Sequence, residues 1–296
     1  MGKKVLSADQ LRKSYSSAAG PASSATTRRA LGQCQGVMMP AACSGESLAV
    51  KSSRQPFTLS IGNPMLPVVL VPGLLCSAEV FAPQVAALWP FGPVTVASTM
   101  EGDTIAAMAA AILAAAPPRF ALAGISMGGY ICLEIMRQAP ERVVKLALLD
   151  TSARPDTPEQ TAKRRDAVAT ARAGDFLAQA AESALAQVHP DRKDDGHLRA
   201  VNTRMAAAVG LDGYARQIEA IIGRPDSRPG LAVIAAPTLV LVGDTDTLTP
   251  PELAQELVAG IAEARLVVVP RCGHLSTLEQ PDAVNRALAE WMMLPF

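Results

Sequence analysis

Along most of the chain, short apolar runs, the first of them rich in β-branched residues, alternate with longer segments whose apolar positions recur every three to four residues. "PVVLVP" (67–72), "VTVAS" (94–98), "FALAGI" (120–125), "VVKLALLD" (143–150), "PTLVLVG" (237–243) and "ARLVVVP" (264–270) have the length and composition of buried strands. Between them, "AEVFAPQVAAL" (78–88), "DTIAAMAAAILAAAP" (103–117), "MGGYICLEIMRQAP" (127–140), "PPELAQELVAGI" (250–261) and "PDAVNRALAEWM" (281–292) read as helices. Asp103 is the expected N-cap of the second, and prolines stop the second and third. This alternation predicts an α/β fold: a mostly parallel central sheet covered by helices on both faces.

Two stretches break the rhythm. Residues 152–232 contain no strand-like run, and "PEQTAKRRDAVATARAGDFLAQAAESALAQV" (158–188) reads as helices with solvated charged faces. This is expected to be a helical cap inserted between two strands, over the carboxyl edge of the sheet. Residues 1–56 have no sustained period; they are rich in Ser, Ala and Thr, with more bases than acids. They read as a disordered extension, ahead of an α/β domain spanning 57–296. Their composition also resembles that of an organelle transit peptide, while the compact apolar core of a secretory signal is missing.

Apolar residues make up 49% of the chain and charged residues 18%, with a formal charge of zero. A neutral balance points away from nucleic acid and from anionic membrane surfaces as partners. No apolar run reaches the roughly 18 residues of a membrane span. The five cysteines (Cys34, Cys43, Cys76, Cys132 and Cys272) are scattered without CxxC spacing. That spacing suits idle thiols in a reducing, cytoplasmic setting better than a disulfide framework or a zinc site.

Chemistry in a parallel sheet concentrates at the carboxyl ends of its strands. There the chain places Gly73, Ser126, Asp150, Asp246 and His274. Ser126 is the centre of Gly124-Ile125-Ser126-Met127-Gly128, a G-x-S-x-G pattern between an expected strand and an expected helix. In so sharp a turn, Cβ atoms at 124 and 128 would collide, and Gly129 would let the helix lie close to a neighbouring strand. A serine hydroxyl needs a base, and the base needs an orienting group. Of three histidines, His189 and His197 fall in the helical insertion, which leaves His274 on the loop after the last strand. "LVGDTDTLTPP" offers Asp246 as the orienting carboxylate, with Asp244 bracing the turn; Asp150 is the rival. An oxyanion needs two donors. These are expected to be the backbone N–H groups of Met127 and Leu74, with Gly73 supplying the unusual backbone of the second loop.

Together with "SMGGY", "APERV", "LLDTSARP", "LVGDTDTLTPP" and "GHLSTLEQP", these residues resemble the α/β-hydrolase superfamily from about Pro64 to the C-terminus. Within it they are similar to the bacterial esterases, enol-lactonases and carbon–carbon bond hydrolases that carry a helical cap. The order Ser126, Asp246, His274 follows that of the superfamily. The resemblance implies Ser126 as nucleophile, His274 as base, Asp246 as acid, and Leu74 with Met127 as oxyanion hole. Two departures bear on substrate: Pro72-Gly73 replaces a common His-Gly, and the loop after the second strand is short.

The expected activity is therefore hydrolysis of small carboxylic esters with short-to-medium apolar acyl groups, without metal or organic cofactor. Enol-lactonase or carbon–carbon hydrolase activity with the same three residues is the alternative. Dehalogenases and epoxide hydrolases, which use aspartate at the elbow, do not fit Ser126. Cofactor-free haloperoxidases share the set as a side activity, and a binding scaffold usually goes with a damaged triad. Leu74, Leu75 and Met127 are expected to wall the pocket, with Met205 and Tyr214 as possible contributors from the cap. The sequence carries no signal for an oligomeric state.

Overall fold

Alternation within each strand sends successive side chains to opposite faces of a sheet, and here both faces are buried. The computed structural model describes residues 65–295; the extension expected over 1–56, with Cys34 and Cys43, lies outside the described residues. Among the described residues six strands form one sheet: β1 (Val68–Val71), β2 (Val94–Val96), β3 (Phe120–Ile125), β4 (Val143–Leu149), β5 (Thr238–Gly243) and β6 (Ala264–Val269). All pairs are parallel, in the order β2-β1-β3-β4-β5-β6.

The helices are α1 (Ala82–Leu88), α2 (Ile105–Ala115), α3 (Met127–Gln138), α4 (Pro158–Ala173), α5 (Phe176–Leu185), α6 (Gly196–Ile222), α7 (Pro251–Gly260), α8 (Ser276–Glu279) and α9 (Pro281–Met293). On one face of the sheet, Val69, Val71, Phe120 and Leu122 pack with Met108 of α2, Ile131 of α3 and Leu257 of α7. On the other, Val68, Leu70, Ala121 and Ala123 pack with Leu88 of α1 and Leu288 and Trp291 of α9. The helix expected from Asp103 begins one residue later: Thr104 is its N-cap and accepts a hydrogen bond from Ala107 N–H. Between β4 and β5 lie α4, α5 and α6, with no strand among them. Gly210 (φ 72°, ψ 166°) interrupts α6.

Chain direction across the sheet reverses between β1 and β3. After β1 the chain goes outward to β2, then crosses back to β3 on the other side of β1. In open parallel sheets such a switch point forms a crevice, and it brings the loop after β1 beside the turn after β3. Among the described residues, the four non-glycine residues with left-handed backbone, Leu75, Ser126, Asp150 and Arg271, all lie on this edge. Strain of this kind concentrates where function needs a fixed geometry.

The turn after β3 is as tight as the pattern predicts, although the contacts differ in detail. A Cβ on Gly124 would lie 2.4 Å from the Gly128 carbonyl oxygen, and one on Gly128 would lie 2.0 Å from that of Val71 at the end of β1. Gly129 faces Thr151, just past β4, rather than a strand residue. Gly128→Ala is therefore expected to lower unfolding free energy by about 3 kcal/mol or more. Urea unfolding checks this; a change within about 0.5 kcal/mol would show that β1 and α3 can separate freely.

Candidate active site

Ser126 is the residue between β3 and α3, at φ 55° and ψ −118°. Its N–H stays in the sheet through Leu149 O at 3.0 Å, and its own carbonyl accepts from Thr151 Oγ1 at 2.8 Å. Both backbone groups are thus fixed, and the side chain stands half-buried at the sheet edge. Ser126 Oγ lies 2.9 Å from His274 Nε2, and His274 Nδ1 lies 2.8 Å from Asp246 Oδ2. The structure thus brings together the three residues selected from the sequence.

Asp246 is buried, yet its carboxyl is held below the usual carboxylate range. Burial acts to raise it; the adjacent His274 charge and hydrogen bonds from His274 and Thr249 outweigh that cost. Its Oδ1 accepts from the N–H groups of Leu248 (2.8 Å) and Thr249 (2.9 Å), and Oδ2 from Thr249 Oγ1 (2.7 Å). An ionised carboxylate only accepts hydrogen bonds, so Nδ1 of His274 carries the hydrogen and Nε2 is left to accept from Ser126. His274 itself is raised above the ordinary histidine value. Burial works in the opposite direction, but Asp246, by charge and hydrogen bond, and then Asp150 and Glu279 prevail.

The rival carboxylate faces elsewhere. Asp150 Oδ1 accepts from Gly243 N–H at 3.1 Å, and Oδ2 from Ser276 Oγ at 2.5 Å and Ser276 N–H at 3.3 Å. Fully buried and close to the Asp246 charge, it is pushed up to about 8. It ties β4 to β5 and to the start of α8. Asp244 braces the same region by accepting from Arg271 N–H and Cys272 N–H, both at 3.0 Å.

The loop after β1 supplies the other side of the site. Its left-handed residue is Leu75 (φ 58°) rather than Gly73. Gly73 instead eases a close approach: a Cβ there would lie 3.2 Å from both Ile125 O and Ser126 Cβ, so that a neighbour would have to give by a few tenths of an ångström. The N–H groups of Leu74 and Met127 make no hydrogen bond among the described residues, which leaves both free to serve an incoming oxyanion. Leu75 N–H is held at 3.0 Å by Gln217 Oε1, whose amide nitrogen reaches Thr99 Oγ1 at 3.1 Å. Gln217 was invisible in sequence, because nothing in "YARQIEAII" says which face of α6 turns inward.

A cavity of about 400 Å³ opens from Ser126 and His274 toward α4, α5 and α6. Leu74, Leu75 and Tyr214 line it as expected. Met205 does not: with Val201 it packs against the Cys76 and Val80 side of the core, while Asn202 and Ala206 on the adjacent face of α6 reach the cavity. Met127, expected to wall the pocket, does not line it either: as the first residue of α3 it turns its side chain into the core. Cys76 also lines the cavity, but burial pushes its thiol up to about 12, so it stays protonated and is no rival nucleophile near neutral pH.

Glu279 is a second residue that sequence reasoning missed. Fully buried on α8, it accepts from Leu275 N–H (3.0 Å), Gly273 N–H (3.0 Å) and His189 N–H (2.8 Å). It thereby brackets His274 on both sides and ties that loop to the segment before α6. His274 N–H completes the join by donating to Gln187 O at 2.9 Å. The available signal was "GHLSTLEQP", where an acid one turn after the histidine can reach back to backbone donors. Among the described residues no group of three or more His, Cys, Asp or Glu is arranged to hold a metal ion, and no helix is long and apolar enough to cross a membrane.

A parallel sheet with a left-handed serine at its switch point and a buried Ser–His–Asp relay defines a class, and sequence comparison agrees. Residues 68–287 match the model of the alpha/beta hydrolase family, and the chain belongs to that family. It is similar to a thermophilic esterase from Thermogutta terrifontis, solved with malate bound, at 29% identity and a TM-score of 0.69, over 77% of this chain and 89% of that one. It is also similar to the enol-lactonase from Burkholderia xenovorans LB400, at 26% identity and a TM-score of 0.70, over 78% and 93% of the two chains. In sequence it is 30% identical over 199 residues to BpoC of Mycobacterium tuberculosis, a protein named provisionally as a non-heme bromoperoxidase. That match covers 65% of this chain and 74% of BpoC.

Asp150 yields a signed prediction. Where it is ionised, its charge helps to raise His274, so Asp150→Asn removes that contribution and lowers the histidine, with the effect growing as the pH approaches the value of about 8 at which Asp150 loses its proton. If His274 acts as base, the acid limb of kcat/KM then moves to lower pH. A pH–rate profile of the variant checks this; a limb that stays in place excludes an electrostatic influence of Asp150 on His274, and one that moves upward overturns its sign.

Proposed function

We propose that the chain is a serine hydrolase that cleaves carboxylic esters through an acyl-enzyme intermediate. The observation that carries this reading is the continuous relay from Ser126 Oγ through His274 to Asp246, at 2.9 Å and 2.8 Å, opening into a cavity large enough for a small organic molecule. Ser126 attacks the ester carbonyl while His274 Nε2 takes the hydroxyl proton, and Asp246 stabilises the resulting imidazolium. The N–H groups of Leu74 and Met127 receive the oxyanion. The alcohol leaves with the proton from His274, and water, activated by the same imidazole, releases the acid. No step calls on a metal or organic cofactor. The free, buried thiols of Cys76, Cys132 and Cys272 suit a reducing, cytoplasmic setting.

A second reading, enol-lactone hydrolysis, is favoured by likeness to the Burkholderia enol-lactonase. The chemistry is the same, except that the acid and alcohol parts of the product stay joined. Carbon–carbon bond hydrolysis would use the same relay with a different pocket.

Initial rates on 4-nitrophenyl esters from acetate to palmitate test the reading. Short and medium esters are expected to turn over, and Ser126→Ala to lower kcat by roughly 10⁴-fold or more. If the folded protein turns over no ester of the series, the general esterase reading is wrong; a lactone and a dienoic ring-fission substrate then separate the other two.

A further inference from the structure

We propose that Gln217, on α6, is a positioning residue for the oxyanion hole: it selects the backbone conformation of the turn that presents the Leu74 N–H. The task of that N–H rests on the serine hydrolase reading; the turn itself is a feature of the backbone.

Cys76 N–H donates to Gly73 O at 3.2 Å, which closes a β-turn over residues 73–76. Leu75, the third residue of that turn, has φ 58°, and Leu74 is not among the residues of positive φ. A turn of this kind is type II, and its third position calls for glycine or asparagine. Leucine there crowds its Cβ against the backbone. The ordinary type I turn, reached by rotating the 74–75 peptide, would remove that strain. A residue so strained persists only where its surroundings hold it.

The holding contact comes from α6. The 74–75 peptide has two polar ends, and one of them, Leu74 O, accepts from the Cys76 thiol at 3.4 Å, a weak donor. The other, Leu75 N–H, donates to Gln217 Oε1 at 3.0 Å. Rotating the peptide would turn a carbonyl toward Oε1 in place of the N–H, and the bond would be lost. The Gln217 amide cannot swing round to receive that carbonyl. Its nitrogen donates to Thr99 Oγ1 at 3.1 Å and faces Thr99 O, which only accepts, at 3.4 Å. Gln217 is buried and is not one of the residues that line the cavity. It therefore acts on the turn and not on a ligand. The Leu74 N–H projects from a residue that is part of the rotating peptide, so a change of turn moves this donor relative to Ser126.

The test compares kcat and KM for 4-nitrophenyl butyrate in the wild type, Gln217→Met, Leu75→Gly and the double variant. Methionine keeps the bulk of glutamine and removes the acceptor. Gln217→Met is expected to lower kcat about tenfold, short of the loss of a whole oxyanion donor, with KM changed by about twofold at most. Glycine takes a positive φ without steric cost, so in the Leu75→Gly background the same replacement is expected to lower kcat by about twofold or less. An equal loss in both backgrounds makes Gln217 a packing residue, and a rise in KM with kcat unchanged makes it a determinant of binding. Either result overturns the proposal, as does no loss at all. If Gln217→Met does not fold, Gln217→Asn, too short to reach Leu75 while held by Thr99, is measured in both backgrounds against the same outcomes. A crystal structure of the Gln217 variant reads the turn without turnover: Leu75 at negative φ upholds the proposal, and Leu75 still near 58° overturns it. If the wild type hydrolyses no 4-nitrophenyl ester, the esterase reading fails, and that structure alone decides whether Gln217 sets the turn.

Discussion

Ser126 can keep its left-handed backbone only because β1, β3 and α3 close on one another with no side chains between them. The carbonyl of Val71 sits where a Cβ of residue 128 would be, and the carbonyl of Gly128 where one of residue 124 would be. This close approach holds the serine between β3 and the start of α3, where the Met127 N–H has no hydrogen-bond partner among the described residues. The switch in strand order between β1 and β3 then delivers the Leu74 loop to the same point. The rest of the site is arranged around that fixed hydroxyl.

Electrostatically, the site rests on two buried carboxylates that have separate tasks. Asp246 accepts from backbone and hydroxyl donors on its own turn, and these hold it ionised and aligned with the imidazole. Asp150 is enclosed more deeply and pays out its hydrogen-bonding capacity to Gly243 and Ser276. It acts on His274 through space rather than through a shared proton. Position after a strand made both plausible in sequence; the number and placement of nearby donors decides between them.

All six strands could be read from short apolar runs of the right length, and the serine, histidine and aspartate from loop position and elimination. These signals are local, and each is tied to a period or a turn. The helical segment between β4 and β5 was a different matter. Whether Met205 or its neighbours Asn202 and Ala206 face the cavity depends on the rotation of α6, and Gly210 resets that rotation midway. Gln217 and Glu279 were missed for a related reason: each answers backbone donors far away in sequence, at Leu75 and His189. The glycine that eases the approach to Ser126 and the residue that took the left-handed turn proved to be different, Gly73 and Leu75, because proximity and backbone conformation leave the same mark in a sequence.

The Glu279 and Gln187 contacts fasten the helical segment to the histidine loop along the short stretch 187–189, with Arg271 reaching Asp191 just beyond it. The surfaces that α4 and α5 turn toward the cavity lie on other parts of that segment. Reactivity and selectivity are thereby inherited on separable pieces of chain. Substitutions along α4 and α5 can redraw what the pocket admits while the imidazole keeps its anchor, so this architecture can drift between substrates without first dismantling its chemistry.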